Sequence, residues 1–211
     1  MTTIKQDGRK GLSTIKPSLH HVTFKTTRLQ EMINWYKVVL GMTVNFQDAN
    51  NAWTTNDTAN HRIAFLSVPE LRDDPQQHLH TGMHHSAFEY VGFDDLMASY
   101  ARMRDEGVVP AFSLHHGLTV SLYYRDPDGN HVELQADCFG DWAESTRFMQ
   151  TSEDFRANPI GTFFEPEAVW RAHHDGEPFE ALNVRMRRGD FVPATTPSIG
   201  LPEPEKVTAG L

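Results

Sequence analysis

The sequence predicts an α+β protein built from two consecutive βαβββ modules and a C-terminal extension. Three observations support this: an eight-residue stretch that recurs 64 positions later, an apolar stripe of helical period after each copy, and short strands after each stripe. The predicted boundaries are residues 1–18 for an N-terminal arm, 19–82 and 83–139 for the two modules, and 140–211 for the extension, which ends in a mobile Pro-rich tail.

The repeat is clearest at the first strand of each module. Residues 19–26 read LHHVTFKT and residues 83–90 read MHHSAFEY. Successive side chains of a strand point to opposite faces. His21 is therefore predicted on the face opposite Val22, and His85 on the same face as Ala87.

Each first strand leads into a predicted amphipathic helix. In the first module Thr27 is the predicted N-cap, with Gln30 three residues later in a capping-box pattern, and Gly41 is predicted to end the helix in the left-handed conformation. The apolar positions between them recur at helical spacing: Leu29, Met32, Ile33, Tyr36, Val39 and Leu40. The second helix is predicted to start at Asp94 and to stop at Gly107.

Three short strands are predicted after each helix. They cover residues 43–47, 52–55 and 61–68 in the first module, and residues 109–114, 119–125 and 131–135 in the second. The segment DPDGN at residues 126–130 is rich in turn-forming residues and predicts a tight connection between the last two strands. A module of about 60 residues buries little core alone, so the two modules are expected to pack together.

The repeat is absent from Gly140 onward. A short helix is predicted to open at Pro166 and to run through Trp170 to His174, because proline is favoured in the first turn of a helix. The end of the chain, residues 193–211, is rich in proline and poor in bulky apolar residues, which is typical of an extended or mobile segment.

Composition narrows the classes of function. The 211 residues carry a formal net charge of -9, which argues against general binding to nucleic acid or to anionic membranes. No apolar run approaches the roughly 20 residues that span a bilayer, and residues 1–16 lack the apolar core of a signal peptide. The single cysteine, Cys138, excludes an intrachain disulfide and a cysteine-based zinc cluster. A cytoplasmic location and self-association into a homo-oligomer are expected.

The candidate chemistry lies in histidines and one glutamate. Eight of the 12 histidines occur as four adjacent pairs, which begin at residues 20, 84, 115 and 173. Glu133 alternates with Val132 and Leu134 on a predicted strand, and a carboxylate there needs a cation, a hydrogen bond or solvent. If His21, His85 and Glu133 face one cavity, they offer the two imidazoles and one carboxylate of non-haem Fe(II) sites. Spacing alone leaves open that each is an ordinary strand or surface residue.

Taken together, these features resemble the vicinal oxygen chelate superfamily, which includes glyoxalase I, bleomycin-resistance proteins and type I extradiol dioxygenases. The resemblance covers about residues 19–136. It is carried by the βαβββ repeat, the histidines that lead the strands, and the segments WYKVVLGM at 35–42 and YRDPDGNHVEL at 124–134. It implies a half-open β-barrel around a metal site.

The resemblance also implies a reaction. Glyoxalase-type members carry a metal-binding glutamate on the last strand of each module, whereas residues 63–68 of this chain read IAFLSV, and Glu70 follows only after Pro69. The remaining set, His21, His85 and Glu133, is similar to the ligand pattern of extradiol dioxygenases. The resemblance implies Fe(II), with Mn(II) as an alternative, and extradiol cleavage of an aromatic diol by O₂.

Further positions are similar to those of extradiol enzymes. His61 matches an acid–base histidine, and Tyr123, ten residues before Glu133, matches a tyrosine that contacts the substrate. His116 is the favoured match for a second pocket histidine, with His115 as the alternative. The chain is similar in size to one-domain enzymes, and NPIG at residues 158–161 resembles the extension of one-domain dihydroxybiphenyl dioxygenases. A glyoxalase-like isomerase or lyase and a metal-free bleomycin-resistance-type binding protein remain the alternatives.

Overall fold

The computed structural model describes residues 15–197 and residue 199 of the chain. Most of the predicted N-terminal arm, residues 1–14, lies outside the described residues. So does much of the predicted mobile tail, namely residue 198 and residues 200–211.

The first module contains four strands and one α-helix, and a short 3₁₀ helix (Gln77–Leu79) precedes the second module. The strands and the α-helix are β1 (Val22–Lys25), α1 (Leu29–Leu40), β2 (Thr43–Gln47), β3 (Asn51–Thr55) and β4 (Ile63–Leu66). The strands form a sheet in the order β1-β4-β3-β2, in which β1 and β4 are parallel and the other pairs are antiparallel. The helix α1 buries its apolar stripe and ends at Gly41 in the left-handed conformation, as predicted.

The predicted N-cap of α1 is wrong. The residue before the helix is Arg28, and no side chain caps the first turn. The hydroxyl of Thr27 donates instead to Asp73 at 2.6 Å, and the guanidinium of Arg28 pairs with the same carboxylate. A tertiary contact to the loop before the second module therefore replaces the local capping box.

The second module repeats the order of the first. Its elements are β5 (His85–Tyr90), α2 (Phe93–Asp105), β6 (Phe112–His115), β7 (Thr119–Arg125) and β8 (His131–Asp137). Within the described residues, the α+β class and the two βαβββ modules are thus confirmed. The helix α2 begins one residue before the predicted Asp94. In the turn between β7 and β8, the Asp126 carboxylate accepts hydrogen bonds from the backbone N–H groups of Asp128 and Asn130.

The two modules share one apolar core. The cluster contains buried residues of both modules, among them Met32, Tyr36, Phe65, Leu96, Tyr100 and Leu134. The Tyr36 hydroxyl also donates to the Asp126 carboxylate of the second module at 3.2 Å. Since neither module encloses this core alone, the expected packing of the two modules is present.

Four helices and one strand follow the second module. They are α3 (Trp142–Thr151), α4 (Glu153–Ala157), β9 (Thr162–Phe163), α5 (Pro166–His174) and α6 (Phe179–Arg188). The helix α5 has the predicted bounds, whereas α3, α4 and α6 were not predicted. The short strand β9 pairs with β6 and extends the second sheet to the order β5-β8-β7-β6-β9. No helix in the described part of the chain is long and apolar enough to cross a membrane.

Candidate active site

The site is centred on the carboxylate of Glu133 in the middle of β8. Its neighbours along the strand, Val132 and Leu134, are fully buried in the shared core. Alternation therefore directs Glu133 to the other face of the sheet. There it pairs in register with Tyr123 on β7 and Ala87 on β5. The residue is only 5% exposed, so the carboxylate depends on protein partners for hydrogen bonds.

Three side chains form hydrogen bonds with this carboxylate: those of His85, Ser121 and Tyr123. His85 Nε2 lies 3.0 Å from Oε2, and the Tyr123 hydroxyl donates to Oε1 at 2.9 Å. Burial raises the pKa of Glu133, but hydrogen bonds from His85, Ser121 and Tyr123 together outweigh burial, so its pKa lies below the usual value. Glu133 is therefore ionised at neutral pH.

His116 forms a second layer behind the tyrosine. Its Nε2 lies 2.8 Å from the Tyr123 hydroxyl and 3.8 Å from a Glu133 carboxylate oxygen. Its Nδ1 donates to the Ile160 carbonyl at 2.7 Å, which fixes the ring. Burial lowers the pKa of His116, so the ring is neutral at neutral pH.

His115 faces away from this network. Its Nε2 donates to the Asn183 side chain at 2.7 Å, and its Nδ1 accepts from the Gly117 backbone N–H at 3.0 Å. Burial lowers its pKa to about 4. Both ring nitrogens are thus used by the neutral form, and His115 is a structural histidine of the sheet and α6.

A second group of histidines lies at the start of β1. The ligand atoms of His20, His21 and His61 all lie within 4.8 Å of one another. The rings of His21 and His61 have centroids 4.3 Å apart, and Asn60 Oδ1 lies 2.7 Å from His61 Nδ1. Burial and the neighbouring histidines lower the pKa of His61.

The predicted site residues therefore occur as two groups. One contains His85, Glu133, Tyr123 and His116, and the other contains His21 and His61. Among the described residues, no hydrogen bond, ion pair or ring contact joins the two groups, and the predicted ligands do not form one cluster within 4.8 Å. The ligand set and the residue roles remain predictions.

Two residues that hold the site, Phe112 and Ile160, were not predicted from the sequence. The Phe112 ring stacks on Tyr123 with centroids 4.4 Å apart, and Phe112 pairs with Tyr123 in the β6–β7 register. Ile160 supplies the carbonyl that fixes His116. Counting across the turn at residues 126–130 pairs Tyr123 with Glu133, but finding Phe112 also requires the β6–β7 register.

Two βαβββ modules, with buried Glu133 beside the strand-leading His85, define the class of fold and site that this chain presents. Residues 18–134 match the family described as the Glyoxalase/Bleomycin resistance protein/Dioxygenase superfamily. The chain belongs to this superfamily, which confirms the resemblance seen in the sequence.

Particular relatives share most of the chain. Biphenyl-2,3-diol 1,2-dioxygenase 3 of Rhodococcus globerulus is 37% identical over 172 residues, covering 82% of this chain and 90% of the relative. Biphenyl-2,3-diol 1,2-dioxygenase 2 of the same organism is 35% identical over 191 residues, covering 90% and 96%. A solved glyoxalase/bleomycin resistance protein/dioxygenase from Nocardioides is 18% identical with a TM-score of 0.49, covering 62% of this chain and 89% of that one.

Proposed function

We propose that this protein is an extradiol dioxygenase, which opens an aromatic ring beside two vicinal hydroxyl groups with O₂. The observation that carries the proposal is the buried Glu133, paired with His85 at 3.0 Å and held by the Tyr123 hydroxyl. Support also comes from the two relatives named biphenyl-2,3-diol 1,2-dioxygenases, which match 82% and 90% of the chain.

The proposed metal ligands are His21, His85 and Glu133. Two imidazoles and one carboxylate are a donor set that suits Fe(II), and Mn(II) is the alternative. One contact supports this ligand set: His85 Nε2 and a Glu133 oxygen lie 3.0 Å apart. His21 is proposed as the third ligand because it immediately precedes β1, as His85 begins β5. When bound, the metal would hold the diol and O₂ side by side.

The other predicted residues are proposed to act on protons and on orientation. The Tyr123 hydroxyl is placed to hydrogen-bond a substrate oxygen near Glu133, and His116 supports it from behind. His61 lies beside His21, with ring centroids 4.3 Å apart. An imidazole there can accept a proton from a substrate hydroxyl near neutral pH.

The β-strand register also bears on the choice of reaction. In the first module Thr23 pairs with Ala64, and in the second Ala87 pairs with Glu133. Ala64 therefore occupies the position equivalent to Glu133. The first module offers no carboxylate at this position, which favours the dioxygenase over a glyoxalase-like isomerase.

The test is oxygen consumption by protein loaded anaerobically with Fe(II) and offered biphenyl-2,3-diol or catechol. We expect one O₂ to be consumed per diol, with a yellow ring-fission product. Glu133→Gln should lower this rate by at least about 100-fold, since even partners of metal ligands contribute 10–100-fold. Glu89→Gln is the matched control, because Glu89 is exposed on the neighbouring strand β5, and it should leave the rate unchanged.

Other outcomes would contradict the proposal. Iron binding without oxygen consumption for any diol would indicate an isomerase or lyase that does not use O₂. Stoichiometric capture of an aromatic ligand without bound iron would indicate a binding protein of the bleomycin-resistance type.

A further inference from the structure

A small apolar cluster lies beside the candidate site and apart from the shared core. It contains buried Phe112, Leu114 and Tyr123, with Ile160, Phe163 and Ile199 packed against them. The Phe112 ring stacks on the Tyr123 ring, and the Tyr123 hydroxyl at the ring's other end donates to Glu133. The cluster is thus the apolar side of a site whose polar side is the Glu133 network.

One member of this cluster, Ile199, lies after α6 near the C-terminal end of the described residues. After α6, buried Phe191 anchors the chain: its carbonyl accepts the Glu165 backbone N–H at 2.7 Å, and the Arg185 guanidinium lies 4.3 Å from its ring centroid. Residues 193 and 195–197 then line a cavity of about 470 Å³ together with Phe112 and Phe163. Residues 193 and 195–197 therefore lie beside β6 and β9, at the edge of the second sheet.

Ile199 is held at the site from two directions. Its side chain is half-buried against the apolar cluster. Its carbonyl accepts a hydrogen bond from His84 Nε2 at 3.4 Å, and His84 neighbours His85, which pairs with Glu133. The residue therefore lies between the start of β5, where a proposed ligand is located, and the Phe112–Tyr123 stack.

We propose that Ile199 is a specificity-determining residue: its side chain contacts the apolar substituent of a substituted aromatic diol. The inference rests on the proposed function and adds to it a residue that distinguishes substituted from unsubstituted diols. A molecule with two hydroxyls at one end and an apolar ring or alkyl group at the other matches the polar network and the apolar cluster in turn. Apolar contacts of this kind discriminate between substrates by the area that they remove from water.

The test compares one diol that has an apolar substituent with one that has none. For Ile199→Ala we expect kcat/KM for biphenyl-2,3-diol to fall about tenfold, which corresponds to about 1.4 kcal/mol. The value for catechol should change by less than about twofold, because catechol has no substituent to contact Ile199. Ile199→Val should keep most of the preference. Val192→Ala is the matched control: Val192 lies on the same segment but is 47% exposed and outside the cluster.

Binding measured without O₂ separates this inference from the proposed function. Anaerobic titration of the protein with biphenyl-2,3-diol should give a dissociation constant about tenfold higher for Ile199→Ala than for the unaltered protein. If the unaltered protein binds the diol but does not cleave it, the proposed function fails while this inference can still hold. Equal losses for both diols, or no loss for either, would overturn the inference.

Discussion

At the scale of single residues, the Tyr123 hydroxyl sets the proton arrangement of the site. It has one hydrogen but two acceptors, a Glu133 oxygen at 2.9 Å and His116 Nε2 at 2.8 Å. Since His116 Nδ1 donates to the Ile160 carbonyl, neutral His116 can only accept at Nε2. Tyr123 can therefore satisfy only one neighbour at a time. One additional proton on His116 would let both contacts of the Tyr123 hydroxyl form at once.

The first prediction removes that hydroxyl. Tyr123→Phe keeps the ring stacked on Phe112 but takes one donor from Glu133. We expect diol turnover to fall about tenfold or more, and the free energy of unfolding to fall by about 1 kcal/mol, the typical value of one hydrogen bond. Steady-state kinetics and urea unfolding measure the two effects. Tyr90→Phe is the control, because its hydroxyl bonds Ser99 away from the site. Equal turnover by both variants would show that the Tyr123 hydroxyl has no role.

At the scale of elements, the β7–β8 hairpin explains the spacing of the site. The turn at residues 126–130 brings Tyr123 directly opposite Glu133 in the antiparallel register. A separation of ten residues is thus the consequence of hairpin geometry. The neighbour of Glu133 on the other side is Ala87, whose small side chain leaves the carboxylate accessible to His85.

A second element, the segment leading into β9, positions His116. At Gly161 the chain has a φ of +95°, and a Cβ there would lie 2.1 Å from the His115 carbonyl oxygen. The close approach allows the preceding Ile160 carbonyl to accept from His116. The backbone cannot keep this approach with any side chain at residue 161.

The second prediction compares alanine substitutions at Gly161 and at Gly176. Gly161→Ala should lower the free energy of unfolding by about 3 kcal/mol, from left-handed strain and displaced backbone together. Gly176→Ala has a similar φ of +99° but no atom within 4 Å of the added Cβ, so it should cost only about 1 kcal/mol. Urea unfolding of both variants provides the comparison. Equal losses would mean that the close approach at Gly161 does not constrain the fold.

At the scale of the whole molecule, local sequence patterns predicted the elements of the two modules. They did not predict the contacts between residues that are far apart in the sequence. Alternation and turn residues gave β2 and β7 their observed bounds, and Gly41 ended α1. The helices α3, α4 and α6 were missed because they bury few side chains: only Ser145 in α3, none in α4, and Leu182 and Met186 in α6. The grouping of His85 with Glu133 follows from strand register, whereas the position of His21 depends on how the modules pack, which no local pattern specifies.

The last prediction concerns the pH dependence of global stability, and it centres on His115. The folded state lowers the pKa of His115 from 6.5 to about 4, mainly because burial disfavours the charged ring, with smaller contributions from the charges of Arg187 and His116. The unfolded chain therefore binds this proton at a higher pH than the folded protein does. Stability from His115 is complete above pH 6.5 and is lost as the pH falls towards about 4, by up to about 3 kcal/mol.

His115→Gln should separate this contribution from those of other groups. The glutamine side chain can still hydrogen-bond Asn183, but it does not titrate. We expect the variant to be less stable than the unaltered protein at pH 7.5, because the imidazole packing is lost, and the difference to shrink as the pH falls from 6.5 to 4. His78→Gln, at an exposed position, should leave the slope unchanged. Parallel stability curves for the unaltered protein and His115→Gln would show that the folded state does not hold His115 neutral, because a buried neutral imidazole must lose stability when the unfolded chain becomes protonated.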